Sequence, residues 1–79
     1  MIEKRAAPRF KVLKGGTVAI EGGSLPCTVR NMSSSGAAVD FAQAVDLPET
    51  FTLVIERDRF ARRCRPVWRH ERRVGMAFC

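Results

Sequence analysis

Apolar and polar residues alternate along most of the chain after Lys14. Cys27 and Val29 share one face of an extended segment, and the same period of two recurs in three later segments. The further alternating sets are Ala37, Val39 and Phe41; Phe51, Leu53 and Ile55; and Val74, Met76 and Phe78. A period of two places successive side chains on opposite faces of a β-strand. The pattern therefore predicts half-buried strands.

Turn-forming residues separate these alternating segments. Gly and Ser supply backbone freedom and local hydrogen bonds, while short charged clusters remain in solvent. The predicted turns are Gly15-Gly16, Gly22-Gly23-Ser24, the run from Ser33 to Gly36, Arg57-Asp58-Arg59 and His70-Glu71-Arg72. Only the segment 41–49 is long enough for a helical turn, and Pro48 limits it. Short strands joined by tight turns are the main expectation.

The spacing of the segments predicts an all-β fold. We count six strands, of which the first runs over 17–20 and the fifth from about Phe60 to Arg69. Such strands favour a small six-stranded antiparallel β-barrel, because closure removes exposed strand edges. The segment 1–14 is polar, basic and lacks this period, so we expect a flexible N-terminal arm followed by a barrel over 15–79. A chain of 79 residues suffices for one such domain.

The chain is strongly basic, and its positive charge is unevenly distributed. Fourteen Lys and Arg against eight Asp and Glu give a net charge of +6 and an isoelectric point near 10.3. Eleven of these cations are arginine, and eight of the arginines lie between Glu56 and Arg73. The planar guanidinium group pairs with phosphate or a guanine edge and stacks on bases. The charge favours an anionic partner, but fits a nucleic acid, a nucleotide or an acidic protein equally well.

Several classes of protein are disfavoured by what the sequence lacks. No apolar stretch reaches the roughly 18 residues that span a bilayer, and the N-terminus has no secretory signal, so we expect a cytoplasmic protein without membrane insertion. The three cysteines, Cys27, Cys64 and Cys79, form no C-x-x-C pair and are accompanied by one histidine, His70, which argues against a metal site. No nucleophile, base and orienting group form a catalytic set, which predicts a binding protein without a cofactor rather than an enzyme.

The first candidate motif lies on the predicted arm. Arg5 and Arg9 are four residues apart, around Ala6, Ala7 and Pro8. The same spacing recurs elsewhere in this arginine-rich chain, but here it falls outside the predicted strands. Pro8 restricts Ala7 to extended conformations, which lowers the entropic cost of bringing both guanidinium groups onto one ligand. The arm is thus a candidate clamp for an anion.

The second candidate motif is the run Asn31-Met32-Ser33-Ser34-Ser35-Gly36 between two predicted strands. Asn and Ser are common in turns because their side chains hydrogen-bond nearby backbone, and Gly36 allows a positive φ. At the lip of a barrel, the Asn31 amide and the Ser33 hydroxyl can also hydrogen-bond a base edge, while Gly36 keeps the rim free of a side chain. A purely structural turn and a ligand contact both account for these residues.

Taken in this order, the two motifs resemble those of the PilZ family of cyclic di-GMP receptors. The family pattern is R-x-x-x-R followed by [D/N]-x-S-x-x-G, and the residues that meet it here are Arg5, Arg9, Asn31, Ser33 and Gly36. Further segments that agree are LKGGTVAI, CTVRNMSSSGAAVDF, FTLVIE, CRPVWR and VGMAF. The resemblance covers nearly the whole chain.

The resemblance implies a stand-alone PilZ-type receptor for the bacterial second messenger cyclic di-GMP. In the family, the two arginines contact phosphate and guanine, which assigns Arg5 and Arg9 to the clamp. Asn31 and Ser33 would bind guanine, and Gly36 would shape the turn. Ligand binding would order the N-terminal arm, and the arm would then engage a downstream protein partner whose identity the resemblance does not give.

Two alternatives stay open beside this interpretation. One is a basic β-barrel that binds RNA or single-stranded DNA; against it, the chain has no Tyr, and four of its five Phe lie at predicted core positions. Trp68 is likewise assigned to the core, on the strand face it shares with Cys64 and Pro66. The other is a ligand-free PilZ protein-interaction module that docks through the arginine-rich segment 57–73.

Overall fold

The computed structural model describes residues 10–79, and these form a closed barrel of six antiparallel strands. The strands are β1 (Phe10–Ile20), β2 (Gly23–Met32), β3 (Gly36–Phe41), β4 (Phe51–Ile55), β5 (Phe60–His70) and β6 (Arg73–Phe78). Their order around the barrel is β1, β2, β3, β6, β5, β4, and pairing of β4 with β1 closes the ring. A short 3-10 helix, Glu56–Asp58, connects β4 to β5. The predicted antiparallel barrel is confirmed.

The barrel interior is filled by the alternating apolar side chains. Val29 and Val39 are paired across β2 and β3, and both are completely buried. The core cluster comprises Val18, Cys27, Val29, Ala37, Val39, Phe41, Phe51, Leu53, Ile55, Cys64, Val74 and Met76. Burial of each large aliphatic side chain contributes about 1.5–3 kcal/mol to folding. Most of these residues belong to the alternating sets that indicate an inward face, whereas Phe78 of the last set is partly buried and packs against the cluster.

The first strand is longer than its sequence pattern indicated. β1 begins at Phe10, so residues 10–14 of the predicted arm are strand and pair with the end of β2. The predicted turn at Gly15 and Gly16 is wrong, because these glycines pair with Thr28 and Cys27 in the middle of the ladder. Pairing with β2 holds the two glycines extended, although glycine is free to adopt a turn conformation.

The connection between β3 and β4 contains no helical turn. Residues 42–50 form an irregular loop, and Val45 and Leu47 from it pack against the core. Arg69 fixes the loop, since its Nη1 donates to the carbonyl oxygen of Val45 at 2.7 Å and to Oδ1 of Asp46 at 2.8 Å. Side-chain contacts from β5 therefore shape a segment that its length alone made a helix candidate.

Candidate functional site

A β-bulge in β2 decides which way Asn31 faces. Val29 pairs with Val39 and Asn31 with Ala38, so Arg30 is an extra residue in β2. An extra residue reverses the faces on which the following side chains lie. Val29 is in the core, and Asn31 therefore lies on the outer surface of the barrel, where it is partly exposed.

A second bulge, in β5, turns Trp68 to the outer surface of the barrel. Pro66 and Trp68 pair with adjacent residues of β6, which leaves Val67 as an extra residue. Trp68 pairs with Gly75 on the outer face and is 40% exposed. The assignment of Trp68 to the core is wrong, because it assumed uninterrupted alternation from Cys64. Without the bulge, Trp68 would have pointed inward.

The two bulges bring Asn31 and Trp68 into one transverse row on the outside of the barrel. Directly paired residues of antiparallel strands share a face, and this row consists of Lys11, Asn31, Ala38, Gly75 and Trp68. Three inter-strand spacings separate Asn31 from Trp68, so their Cα atoms lie within about 14 Å. Two small, buried residues, Ala38 and Gly75, lie between the amide and the indole. We call this row the outer platform.

Ser33 forms the turn that follows Asn31. Its backbone N–H donates to the carbonyl oxygen of Gly36 at 2.8 Å, and its Oγ accepts a hydrogen bond from the N–H of Ser35 at 3.2 Å. The Ser33 hydroxyl also lies 3.2 Å from the Ser35 hydroxyl. The Ser33 hydroxyl also donates to the carbonyl oxygen of Gly36 at 3.4 Å, so contacts within the turn occupy its donor and at least one of its two acceptor positions.

Gly36 is required by the close approach of β6. A Cβ atom added at Gly36 would lie 2.3 Å from the carbonyl oxygen of Met76. The expectation that Gly36 supplies a positive φ is wrong: within residues 10–79 the glycine with positive φ is Gly22. Gly36 pairs with Ala77, so a second pair of small residues lies beside Ala38 and Gly75, and Ala77 in turn pairs with Arg65.

An open cavity of about 540 Å³ borders the Asn31 end of the outer platform. It lies between the beginning of β1 and the end of β2, and its lining residues are Lys11, Val12, Leu13, Arg30, Asn31 and Arg73. Three of these six residues are cationic, and Leu13 is 70% exposed. We call it the cationic cleft. The motifs in the sequence identified Asn31 alone among its residues, although the position of Arg30 next to Asn31 was a signal that could have identified it.

A single carboxylate, Asp40, connects the arginines of this cleft. Arg73 binds it with two groups: Nε lies 2.6 Å from Oδ1 and Nη2 lies 3.1 Å from Oδ2. Nε of Arg30 is 3.6 Å from Oδ2, which is an ion pair without a hydrogen bond. The hydrogen bond from Arg73 is the main cause that lowers the pKa of Asp40 below its ordinary value, and the charges of Arg73, Arg30 and Arg72 lower it further. Asp40 is therefore ionised near neutral pH.

The arginines of the segment 57–73 do not form one uniform surface. Several are used in contacts within the barrel: Arg69 pairs with Asp46, Arg73 with Asp40, Arg72 donates to the Phe41 carbonyl, Arg63 donates to Thr50, and Arg62 lies over the Phe78 ring. The side chains of Arg57, Arg59 and Arg65 make no hydrogen bond or ion pair with another residue of 10–79. Some arginines of the predicted docking face therefore stabilise the barrel, whereas others face solvent.

Arg5 and Arg9 of the first motif lie outside the described residues. Of the remaining predicted site residues, Asn31 lies on the outer platform, while Ser33 and Gly36 form the turn at its end. Residues 10–79 contain no group of three or more His, Cys, Asp or Glu side chains that could hold a metal ion. In the same part of the chain, no helix is long and apolar enough to cross a membrane.

Comparison with known proteins agrees with this architecture. The PilZ domain family model matches residues 3–79. No curated protein matches the chain. The chain is similar in fold to the crystal structure of an uncharacterized Legionella protein, with a TM-score of 0.61, 19% sequence identity, and coverage of 90% of this chain and 75% of that chain. Since the family model spans almost the entire sequence and the structure is a closed six-stranded barrel, the chain belongs to the PilZ domain family.

Proposed function

We propose that this protein is a receptor for cyclic di-GMP that acts by binding alone, in the bacterial cytoplasm. The observation that carries the proposal is the outer platform, where bulges in two separate strands turn Asn31 and Trp68 to the same side of the barrel. Membership of the PilZ domain family supports the choice of ligand. Asn31, Ser33 and Gly36 of the family motif all lie at one end of this platform.

The chemistry of the platform suits a purine dinucleotide. The Asn31 amide offers both a donor and an acceptor, as a guanine edge requires. The indole of Trp68 presents an aromatic surface at the other end, and stacking of a base on an aromatic side chain is worth about 1–3 kcal/mol. Between them, Ala38 and Gly75 carry no long side chain and are both buried, and the indole itself lies over Gly75. A planar base would therefore lie against the exposed side of the indole ring. A ligand with two bases can use both ends of this surface.

The two arginines of the N-terminal motif complete the proposed site. Arg5 and Arg9 would contact the phosphates and the guanines, because a guanidinium group forms bidentate hydrogen bonds with either. β1 starts at Phe10, directly after Arg9, and its Lys11 belongs to the outer platform. A segment that enters the barrel at this position can reach a ligand on the platform. Ligand binding would fix this segment, and the new surface would engage a downstream protein.

The fluorescence of Trp68 provides a direct test. Trp68 is the only tryptophan and the chain has no tyrosine, so emission reports on this position alone. We expect cyclic di-GMP to change the emission saturably and calorimetry to give the same affinity, whereas linear GMP does neither at equal concentration. A single-stranded oligonucleotide serves as a second control, because a nucleic-acid-binding barrel would bind it with steep salt dependence.

The Asn31→Ala variant tests the site itself. Asn31 makes no side-chain hydrogen bond to another residue of 10–79, so its removal should leave the melting temperature nearly unchanged. We expect weaker binding of cyclic di-GMP by this variant. Absence of saturable binding by the parent protein, in both fluorescence and calorimetry, would refute the receptor proposal and favour the protein-interaction module.

A further inference from the structure

We propose that the cationic cleft is an additional phosphate subsite, in which Lys11, Arg30 and Arg73 bind a phosphodiester group of the nucleotide. This inference rests on the proposed function, and it adds residues that lie outside both sequence motifs. The cleft shares Asn31 with the outer platform. A ligand whose base is held by Asn31 therefore has its sugar-phosphate part next to these cations.

The bulge in β2 is the feature that supplies Arg30 to the cleft. Arg30 is the extra residue between the pairs Val29–Val39 and Asn31–Ala38. Bulges commonly redirect a side chain beside a functional site. Here the bulge both turns Asn31 outward and leaves Arg30 among the residues that line the cleft. The same local irregularity thus places a base-recognising amide and a guanidinium group side by side.

The cationic cleft has more hydrogen-bond donors than the Asp40 carboxylate accepts. Arg73 uses Nε and Nη2 on the carboxylate, which leaves its Nη1 available for another acceptor. Arg30 makes no hydrogen bond to a residue of 10–79, since its closest approach to Asp40 is 3.6 Å. Lys11 is exposed and lies on the outer face beside Asn31. Three residues that line one open volume thus retain unused donors.

The charge of the cleft also favours an anion. Lys11, Arg30 and Arg73 are opposed by the one carboxylate of Asp40, and Arg72 contributes further positive charge to the surroundings of Asp40. Asp40 holds Arg73 in a fixed orientation through two hydrogen bonds, which reduces the side-chain entropy lost when a ligand binds. A phosphodiester carries one negative charge and two free oxygens, so it can accept hydrogen bonds from more than one of these cations.

The test compares Arg30→Gln with Arg57→Gln in calorimetric titrations of the full chain with cyclic di-GMP at several salt concentrations. Both variants lose one positive charge. Arg57 lies on the exposed 3-10 helix and does not line the cleft, so it controls for net charge. We expect Arg30→Gln to bind about tenfold more weakly, which corresponds to loss of one charge-assisted contact, and to show a smaller dependence of affinity on salt.

Two further variants separate binding from structural effects. Lys11→Gln should weaken binding in the same direction, and Arg30→Lys should restore part of the affinity because it keeps the charge but not the planar fork. The melting temperatures of the variants should stay close to that of the parent, since Arg30 has only an exposed ion pair to lose.

The possible failures are distinguishable. If the parent binds cyclic di-GMP and Arg30→Gln behaves like Arg57→Gln, the phosphate subsite is overturned while the receptor function stands. If the parent shows neither heat nor a shift in melting temperature with cyclic di-GMP, the receptor function and the subsite are both overturned.

Discussion

The indole ring of Trp68 lies against the backbone of Gly75. A Cβ atom added at Gly75 would be 2.2 Å from both Nε1 and Cε2 of the ring. Gly75 faces outward, because its neighbours in β6, Val74 and Met76, face the core. It is nevertheless buried, because the indole lies over it. This contact fixes the orientation of the aromatic surface at one end of the outer platform.

Substitution of Gly75 by alanine should displace Trp68. The new methyl group occupies the space of the indole, so the ring must move, and we expect altered tryptophan emission together with weaker binding of cyclic di-GMP. Overpacking of this kind costs about 1–3 kcal/mol of folding free energy unless the ring moves freely. Gly15→Ala is the matched control, because a Cβ at Gly15 would meet nothing within 4 Å. Unchanged emission in Gly75→Ala would contradict the observed contact.

Gly36→Ala should lower the free energy of unfolding of the barrel. The added Cβ would lie 2.3 Å from the carbonyl oxygen of Met76, and a backbone atom in a paired strand cannot move aside without disturbing the ladder between β3 and β6. We expect a loss of about 1–3 kcal/mol, measured by urea denaturation. Gly23→Ala, where a Cβ meets nothing within 4 Å, provides the control. Equal midpoints for the two variants would show that close packing at Gly36 is unimportant.

Loss of Arg9 should weaken ligand binding. Removal of charge-assisted hydrogen bonds costs about 1.5–3 kcal/mol, or roughly 10- to 150-fold in affinity. Arg9→Ala should therefore bind cyclic di-GMP much more weakly than the parent in calorimetry, whereas Arg57→Ala, which removes the same charge from an exposed position, should not. Parent-like affinity in Arg9→Ala would remove Arg9 from the proposed clamp.

The three cysteines should differ sharply in reactivity toward a thiol reagent. Cys79 is exposed, while Cys27 and Cys64 are buried. Burial raises the pKa of the Cys27 thiol to about 11, and burial is also the main cause of the raised pKa of Cys64. Because the thiolate is the reactive form, we expect one thiol to react rapidly in the native protein and the other two only as it unfolds. Rapid reaction of all three would contradict the packing of the core.

The buried thiols also set a direction for the alkaline stability of the barrel. The pKa of Cys27 is raised from 9.0 in the unfolded chain to about 11 in the folded one. The unfolded state therefore loses its proton first, so this contribution to stability is complete below pH 9.0 and falls as the pH rises toward about 11. Cys27→Ala should show a weaker decline than the parent over this interval in urea denaturation at a series of pH values.

The fold was predictable to the extent that alternation continued along the chain. Cys27 and Val29, like Phe51 and Leu53, lie in the core because an inward face repeats every second residue of a strand. The prediction failed where strand pairing overrode the local preference of the residues. The local sequence at Gly15 and Gly16 predicts a turn, but pairing with β2 holds both residues extended, and that pairing cannot be read from the local sequence.

The candidate site was predictable only in part. The spacing of the motif predicts Asn31, Ser33 and Gly36, whereas uninterrupted alternation from Cys64 predicts a core position for Trp68, and Arg73 belongs to neither motif. Arg73 lies far from Asn31 in the sequence and reaches the cleft only because β6 pairs with β3, which pairs with β2. Residues that meet through strand pairing carry no common local pattern.

The sequence by itself determined most of the strands, much of the core and the excess of positive charge, because these follow from the order and type of neighbouring residues. The tertiary structure decided which side of the barrel Asn31 and Trp68 occupy. Each follows a bulge, at Arg30 and at Val67, and one extra residue reverses the side on which the subsequent side chains lie. A bulge is defined by pairing with another strand, so only the assembled sheet could place the amide, the indole and the cationic cleft on one face.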